Sequence, residues 1–223
     1  MSKTLLLVGA RSELAQNFIE KIKNKYSTIF FIYREKDRYF ENNVNDKLKK
    51  CKCIFIYSNF EDSFHKKTFS KHKKYLVGNK IDILLFQSPK PQTVRFINLK
   101  ISEIEKNLKV QSYYSLELIQ YLIGELKPKI LKVLFTLTIY NLEPTPYLMP
   151  YLLAKNFNEK ICELLNIEYP NYKFLSVFPS ILRTKFLSRL HELSLQIEEK
   201  KFKSKKYLNT KDKLTNEIYK KLL

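Results

Sequence analysis

The 223-residue chain carries a formal charge of +19, with 41 Lys and Arg against 22 Asp and Glu, and is 44% hydrophobic with only three glycines and three cysteines. Its length suits one domain with a sizeable core. Its apolar runs are too short for a membrane span or a signal peptide, and an odd cysteine count without an export signal gives a disulfide framework little support, so a cytoplasmic protein is expected.

In chain order, residues 4–8 form an apolar, strand-like run, followed by Gly9-Ala10-Arg11-Ser12 and a helical pattern through Leu14, Phe18, Ile19 and Ile22. TIFFIY (28–33), CIFIY (53–57) and IDILLF (81–86) read as further buried strands, with polar and mostly helical segments between them. A long helix is predicted over 100–124, a fifth strand at 130–137, a helix at 151–165 and a sixth strand at 172–178. Runs apolar on both faces, separated by crossover-length segments, require a parallel sheet. The expected fold class is α/β: a Rossmann-like, doubly wound parallel sheet of about six strands with helices on both faces. One domain covers 1–223, with a core over 1–180 and a lysine-rich helical lid and C-terminal helix over 181–223.

The charge admits nucleic acid, an anionic surface or an anionic small molecule as partner. The lysines, however, are spread over 21–25, 47–52, 66–74 and 200–206, without the arginine and aromatic alternation of a base-stacking groove. Neither nucleic acid nor membrane is therefore expected. Cys51 and Cys53 have no second ligand pair at zinc-like spacing, so no metal is expected, and His65, His72 and His191 read as surface residues.

Two features carry chemistry. Gly9 stands between the first strand and the first helix, where a glycine lets backbone amides approach a diphosphate. Tyr151 and Lys155 in YLLAK lie one helical turn apart on one face. An ammonium beside a phenol favours the phenolate and lowers its pKa toward the range needed for proton exchange.

From residue 4 to about 184 the ordered motifs resemble the short-chain dehydrogenase/reductase family. VGARSELA (8–15) is similar to that family's glycine-rich cofactor loop, with Glu13 and Ala15 where glycines are usual; the resemblance assigns Gly9, Arg11, Ser12 and Leu14 to the cofactor. Asn59 in NFED matches the position that meets the adenine. IDILLFQSP (81–89) falls on the segment that borders the cofactor and brings in Gln87. Thr138 in LFTLTIY, thirteen residues before Tyr151, is similar to the substrate-orienting serine, and Gln111 in EKNLKVQ to the structural asparagine. PSILRT (179–184), with Pro179 and Thr184, resembles the segment that closes over the nicotinamide.

The resemblance implies that Tyr151 protonates a substrate carbonyl oxygen that Thr138 also binds. Lys155 would hold the nicotinamide ribose and keep the tyrosine acidic, and Gln111 would support a water relay. Arg34, just after the second strand, and Arg11 in the loop imply NADP(H) in preference to NAD(H). The expected substrate is a small carbonyl or alcohol, an anionic one suiting the basic surface. Residues 186–206 fall where the family has its substrate lid. With no strand after that region, a homodimer through 100–124 and 151–165 is expected rather than a tetramer. FQSP in place of NNAG, together with Gln111, also admits a non-catalytic dinucleotide-binding scaffold.

Overall fold

The computed structural model describes residues 3–22, 25–62, 64–86, 94–138, 146–179 and 211–222. Six strands, β1 (Lys3–Val8), β2 (Thr28–Tyr33), β3 (Lys52–Tyr57), β4 (Lys80–Leu85), β5 (Ile130–Thr136) and β6 (Lys173–Val177), form one sheet in the order β3-β2-β1-β4-β5-β6. Every neighbouring pair is parallel, with Leu6 opposite both Phe30 and Ile83 at the centre. The expected Rossmann-like fold is the one observed. β1 is the strand from which the order runs outward in both directions, and the crevice at its C-terminal end is where such sheets take ligands.

Alternation along the strands divides the core into two layers. Leu6, Val8, Phe30, Ile32, Ile83 and Val133 point to one face. They meet Val110, Tyr114 and Leu118 from a long helix and Cys162 from α6 (Met149–Glu168). Leu5, Leu7, Ile29, Phe31 and Leu134 point to the other face, against Phe18 and Ile19 of α1 (Glu13–Lys21) and Phe40 and Val44 of α2 (Arg38–Lys47). The C-terminal helix, Lys211–Leu222, closes this second layer with Leu214, Ile218 and Leu222, each at most 1% exposed. It belongs to the core rather than to a lid. The expected lid helix over 186–206 lies outside the described residues.

Helix ends follow the local chemistry. The Ser12 hydroxyl accepts from Ala15 N at 3.2 Å and opens α1, and the Asp37 carboxylate accepts from Phe40 N at 3.0 Å and opens α2. Pro150 in the first turn of α6 has no N–H to leave unpaired.

The single long helix expected over 100–124 is instead four segments in line. After the short helix α3 (Lys66–Ser70), the α-helical pieces α4 (Ile101–Leu108) and α5 (Tyr114–Tyr121) alternate with the π-helical turns Lys109–Tyr113 and Leu122–Leu126. Hydrophobic period does not distinguish α from π over five residues; tertiary contacts at Gln111, given below, do. The helix ends at Lys127, which adopts a left-handed φ of 43° while its N–H reaches Leu122 O at 2.9 Å. A Cβ is unfavourable in that conformation. Lys127→Gly is expected to raise stability by about 0.5–1 kcal/mol in urea unfolding; a loss would show that the lysine side chain outweighs the backbone strain.

β6 is an edge strand, but its outer groups are engaged. Asn166 donates to Phe174 O at 2.7 Å and accepts from Phe174 N at 3.0 Å, and Lys221 Nζ donates to Ser176 O at 2.8 Å. Side chains here take the place of a further strand.

Candidate active site

The chemistry gathers at the C-terminal ends of β1 and β5. Gly9 leaves β1 with a φ of 78°, a left-handed conformation that favours glycine, while Gly9 N and Ala10 N both donate to Ile32 O at 2.9 and 3.1 Å. This tight turn delivers the chain to the N-terminus of α1. A helix leaves its first amides without intrahelical partners, and its dipole is positive there. The Ser12 hydroxyl is turned to its own helix, and the Leu14 side chain lies in the core with Ala10 and Ala15. Leu14 would therefore meet a cofactor through its backbone.

At the end of β5, Leu137 N bonds Val177 O at 2.9 Å and leaves Thr138 buried, 6% exposed. Tyr151, from the first turns of α6, is hydrogen-bonded to Thr138. Lys155 comes up one turn later, and its Nζ lies 5.6 Å from the centre of the Tyr151 ring while donating to Thr136 O at 2.7 Å. The sheet end and one helix face thus bring phenol, hydroxyl and amine together.

The electrostatics run opposite to the expectation that Lys155 makes Tyr151 more acidic. Burial pushes the Tyr151 phenol up to about 12, only partly opposed by the Thr138 hydrogen bond. Burial also pulls the Lys155 amine down to about 7. Desolvation disfavours both charged forms, and among the described residues only the Thr138 hydrogen bond opposes it, at Tyr151. Lys155 offers its charge to a carbonyl and a ring face instead.

Gln111 sits in the first π turn, 1% exposed, with its Nε2 on Asn107 Oδ1 at 3.3 Å. Its main-chain carbonyl accepts from Asn158 Nδ2 at 3.0 Å, and Ser112 Oγ reaches Ala154 O at 3.4 Å. The π turn is therefore stitched to the face of α6 that carries Lys155. Sequence reasoning missed Asn158, although a polar residue three positions after Lys155 on a buried helix face is a readable signal. Thr136, whose carbonyl holds the lysine, had no signal, since any residue supplies a carbonyl.

The other predicted residues are dispersed. Arg34 is exposed beyond β2. Arg11 is 43% exposed and pairs with Asp37 at 3.0 Å and Glu35 at 3.9 Å. Asn59 is exposed and accepts weakly from Glu61 N at 3.4 Å, so it faces its own turn. Pro179 is buried just beyond β6. Gln87 and Thr184 lie outside the described residues.

A dinucleotide suits this arrangement. A turn with glycine at positive φ opens onto a helix N-terminus of the kind that takes diphosphates. The buried oxygens Gln111 Oε1, Asn158 Oδ1 and Thr136 Oγ1, which have no partner among the described residues, mark a polar layer beside Lys155.

The six-stranded parallel sheet and its helices match the fold of solved short-chain dehydrogenases. The apo short chain oxidoreductase of Pseudomonas aeruginosa PAO1, described as containing an atypical catalytic center, superposes with a TM-score of 0.80 at 10% identity, covering 98% of this chain and 88% of that one. The NADPH-bound structure of that description gives 0.79 at 9% identity, with the same coverage of 98% and 88%. A short chain dehydrogenase family protein from Francisella tularensis gives 0.73 at 15% identity, covering 98% and 90%. Comparison with protein-family models finds no match, and comparison with curated proteins finds none.

Proposed function

We propose that the chain is a divergent short-chain dehydrogenase/reductase, an oxidoreductase that interconverts a carbonyl and a hydroxyl with NADP(H) in preference to NAD(H). The observation that carries this reading is the buried Tyr151 phenol, hydrogen-bonded to Thr138 with the Lys155 ammonium over its ring, at the same C-terminal end of the sheet as the Gly9 turn. The nicotinamide supplies hydride when bound. Tyr151 gives its proton to the carbonyl oxygen as charge builds there, and the Thr138 hydroxyl orients that oxygen. Lys155, held on Thr136 O, keeps further N–H donors for a ribose hydroxyl. The Gly9 turn and the first amides of α1 would hold the diphosphate, and Arg11 and Arg34 a 2′-phosphate. Binding of NADPH by a structural neighbour supports the cofactor class.

Tyr151→Phe tests the acid directly. The variant keeps the ring and its packing, so NADPH binding, read by nucleotide fluorescence, is expected to persist while turnover falls about 10²–10⁴-fold. Unchanged turnover would remove Tyr151 from the mechanism.

One observation favours a second reading, a dinucleotide-binding scaffold without catalysis. A phenol pushed up to about 12 is a reluctant source of phenolate for the oxidative direction. NADPH binding with no turnover on a panel of ketones, sugars and acyl thioesters would select that reading.

The proposal includes a homodimer through the long helices. Tyr113 and Phe157 meet edge to face at 6.2 Å and remain 42% and 40% exposed, with Leu153 at 44% and Leu164 at 55% beside them on α6. The occupied outer edge of β6 argues against association through that strand. No helix among the described residues is long and apolar enough to cross a membrane, and the reading places the protein in the cytoplasm.

A further inference from the structure

Lysines scattered along the chain are gathered by the fold. Residues 25–27, 48–52, 71–80, 127–130 and 169–173 lead into β2, β3, β4, β5 and β6, so the parallel sheet brings all five stretches to its N-terminal end, opposite Tyr151 and the Gly9 turn. Together they hold eleven lysines and neither an acid nor an arginine. Ten of the eleven are exposed, and none pairs with a carboxylate among the described residues. The other end of the sheet mixes its signs, as in Arg34, Glu35, Lys36 and Asp37. The five stretches are joined into one surface. Lys52 N donates to Ser27 O at 2.9 Å, Ser27 N to Lys3 O at 3.0 Å and Lys129 N to Asn79 O at 3.1 Å. Thr4 Oγ1 donates to Tyr75 O at 2.9 Å, and Tyr172 OH to Pro128 O at 3.3 Å. Burial, then the charges of Lys71, Lys52 and Lys74, hold the His72 imidazole below its ordinary value, so lysines of two stretches act on one point. The helices α1, α2 and α6 and the helix closed by Lys127 all end here, but their dipoles bring only roughly half a negative charge each. The field at this end stays positive.

We infer that the N-terminal end of the sheet is a docking surface for an anionic lipid bilayer. Two apolar side chains stand among the lysines: Val77, 45% exposed before the Gly78 turn, and Ile167, 77% exposed in the last turn of α6. Such side chains gain from the boundary between headgroups and acyl chains, and nothing from a phosphodiester backbone. Nucleic acid is served by arginine forks or open ring faces. Here the Tyr75 ring is covered by Lys74 Nζ, 5.1 Å from its centre, and Tyr169 and Tyr172 stack on each other at 6.5 Å. Lysines as diffuse point charges suit a headgroup layer, which demands no fixed geometry of its partners. Docking in this way turns the opposite end of the sheet, with the Gly9 turn and Tyr151, away from the lipid.

Sedimentation of the full chain with vesicles tests the assignment, using phosphatidylcholine alone and phosphatidylcholine with roughly 30% phosphatidylglycerol, at about 0.15 M NaCl. Two variants lose the same charge at different places. One combines Lys50→Gln, Lys52→Gln, Lys74→Gln and Lys129→Gln at the sheet end; the other combines Lys100→Gln, Lys106→Gln, Lys109→Gln and Lys160→Gln on the helical side. All eight lysines are exposed, and thermal melts check that both variants fold. The wild type is expected to bind the anionic vesicles only and to leave them in about 0.5 M NaCl. The first variant should bind at least about 10²-fold more weakly, roughly fivefold for each lysine removed, and the second should lose less than about fivefold. Equal losses in the two variants would show that net charge alone acts and overturn the inference. So would a wild type that ignores the anionic vesicles, that binds phosphatidylcholine as tightly, or that stays bound in the high salt. Duplex RNA bound more tightly than the vesicles, and lost in the first variant alone, would give the surface to nucleic acid and overturn the lipid assignment.

Discussion

Replacing Lys155 by methionine is expected to cut turnover by at least about 10²-fold and at the same time to stabilise the fold at pH 7 by about 2 kcal/mol. The amine is 4% exposed and among the described residues has only the Thr136 carbonyl, at 2.7 Å, and the Tyr151 ring, at 5.6 Å, to compensate its charge. A buried cation without an anion is costly, and a thioether of similar length fills the space without that cost. Loss of the bond to Thr136 O gives back about 1 kcal/mol, which is already allowed for in the net figure.

The sign has a pH signature. Burial lowers the Lys155 amine from an ordinary 10.5 to about 7. Between those values the unfolded chain holds a proton that the folded chain releases, so Lys155 makes stability rise with pH across that window. Tyr151 acts oppositely at higher pH: its phenol ionises near 10 when unfolded and near 12 when folded, so stability declines in that interval. Urea unfolding at pH 7 and pH 9.5 should show a variant advantage at pH 7 that narrows or vanishes at pH 9.5. A variant less stable than the wild type at pH 7, with no trend in pH, would show that Lys155 is well compensated. Activity assayed alongside should fall by at least about 10²-fold, a separation of stability from function typical of strained sites.

Asp82 gives the opposite result, because its charge is compensated. It is 1% exposed in β4 and accepts from Tyr26 OH at 2.7 Å while pairing with Lys3 at 2.9 Å; Lys3 Nζ also lies 4.9 Å from the centre of the Tyr26 ring. Burial and this carboxylate together push the Tyr26 phenol far above its ordinary value, so it stays a donor. Asp82→Ala is expected to cost about 3–5 kcal/mol and to lower Tm by about 10 °C, since it leaves a phenol and a partly buried ammonium without their acceptor. The cluster lies at the opposite end of the sheet from Tyr151, so kcat of the folded variant should change little. In a double-mutant cycle with Tyr26→Phe, coupling of 1 kcal/mol or more is expected for a shared hydrogen bond of about this strength; additive losses would mean that Asp82 acts through packing alone.

Much of this was legible in the sequence, but not all for one reason. TIFFIY and IDILLF are apolar on both faces, which only a parallel sheet covered on both sides can bury, so strand number and fold class followed from pattern alone. Gly9 was legible because few residues tolerate its backbone conformation, and the Tyr151 and Lys155 pair because residues four apart on a helix share a face. Asn158 was overlooked on the same helix face, since a sequence does not say that a neighbouring carbonyl, that of Gln111, will need a donor.

What the sequence determined by itself was therefore short-range: periodicity, caps and the chirality of a turn, each dictated by covalent geometry within a few residues. Tertiary structure alone decided the sign of the electrostatics. Whether Lys155 acidifies its tyrosine or loses its own proton depends on how much water the packed layers exclude, and whether Arg11 is free for an anion depends on an acid twenty-six positions away, at Asp37, that only the sheet brings within 3.0 Å. Desolvation and through-space charge act over distances in the fold, and spacing along the chain does not encode those distances.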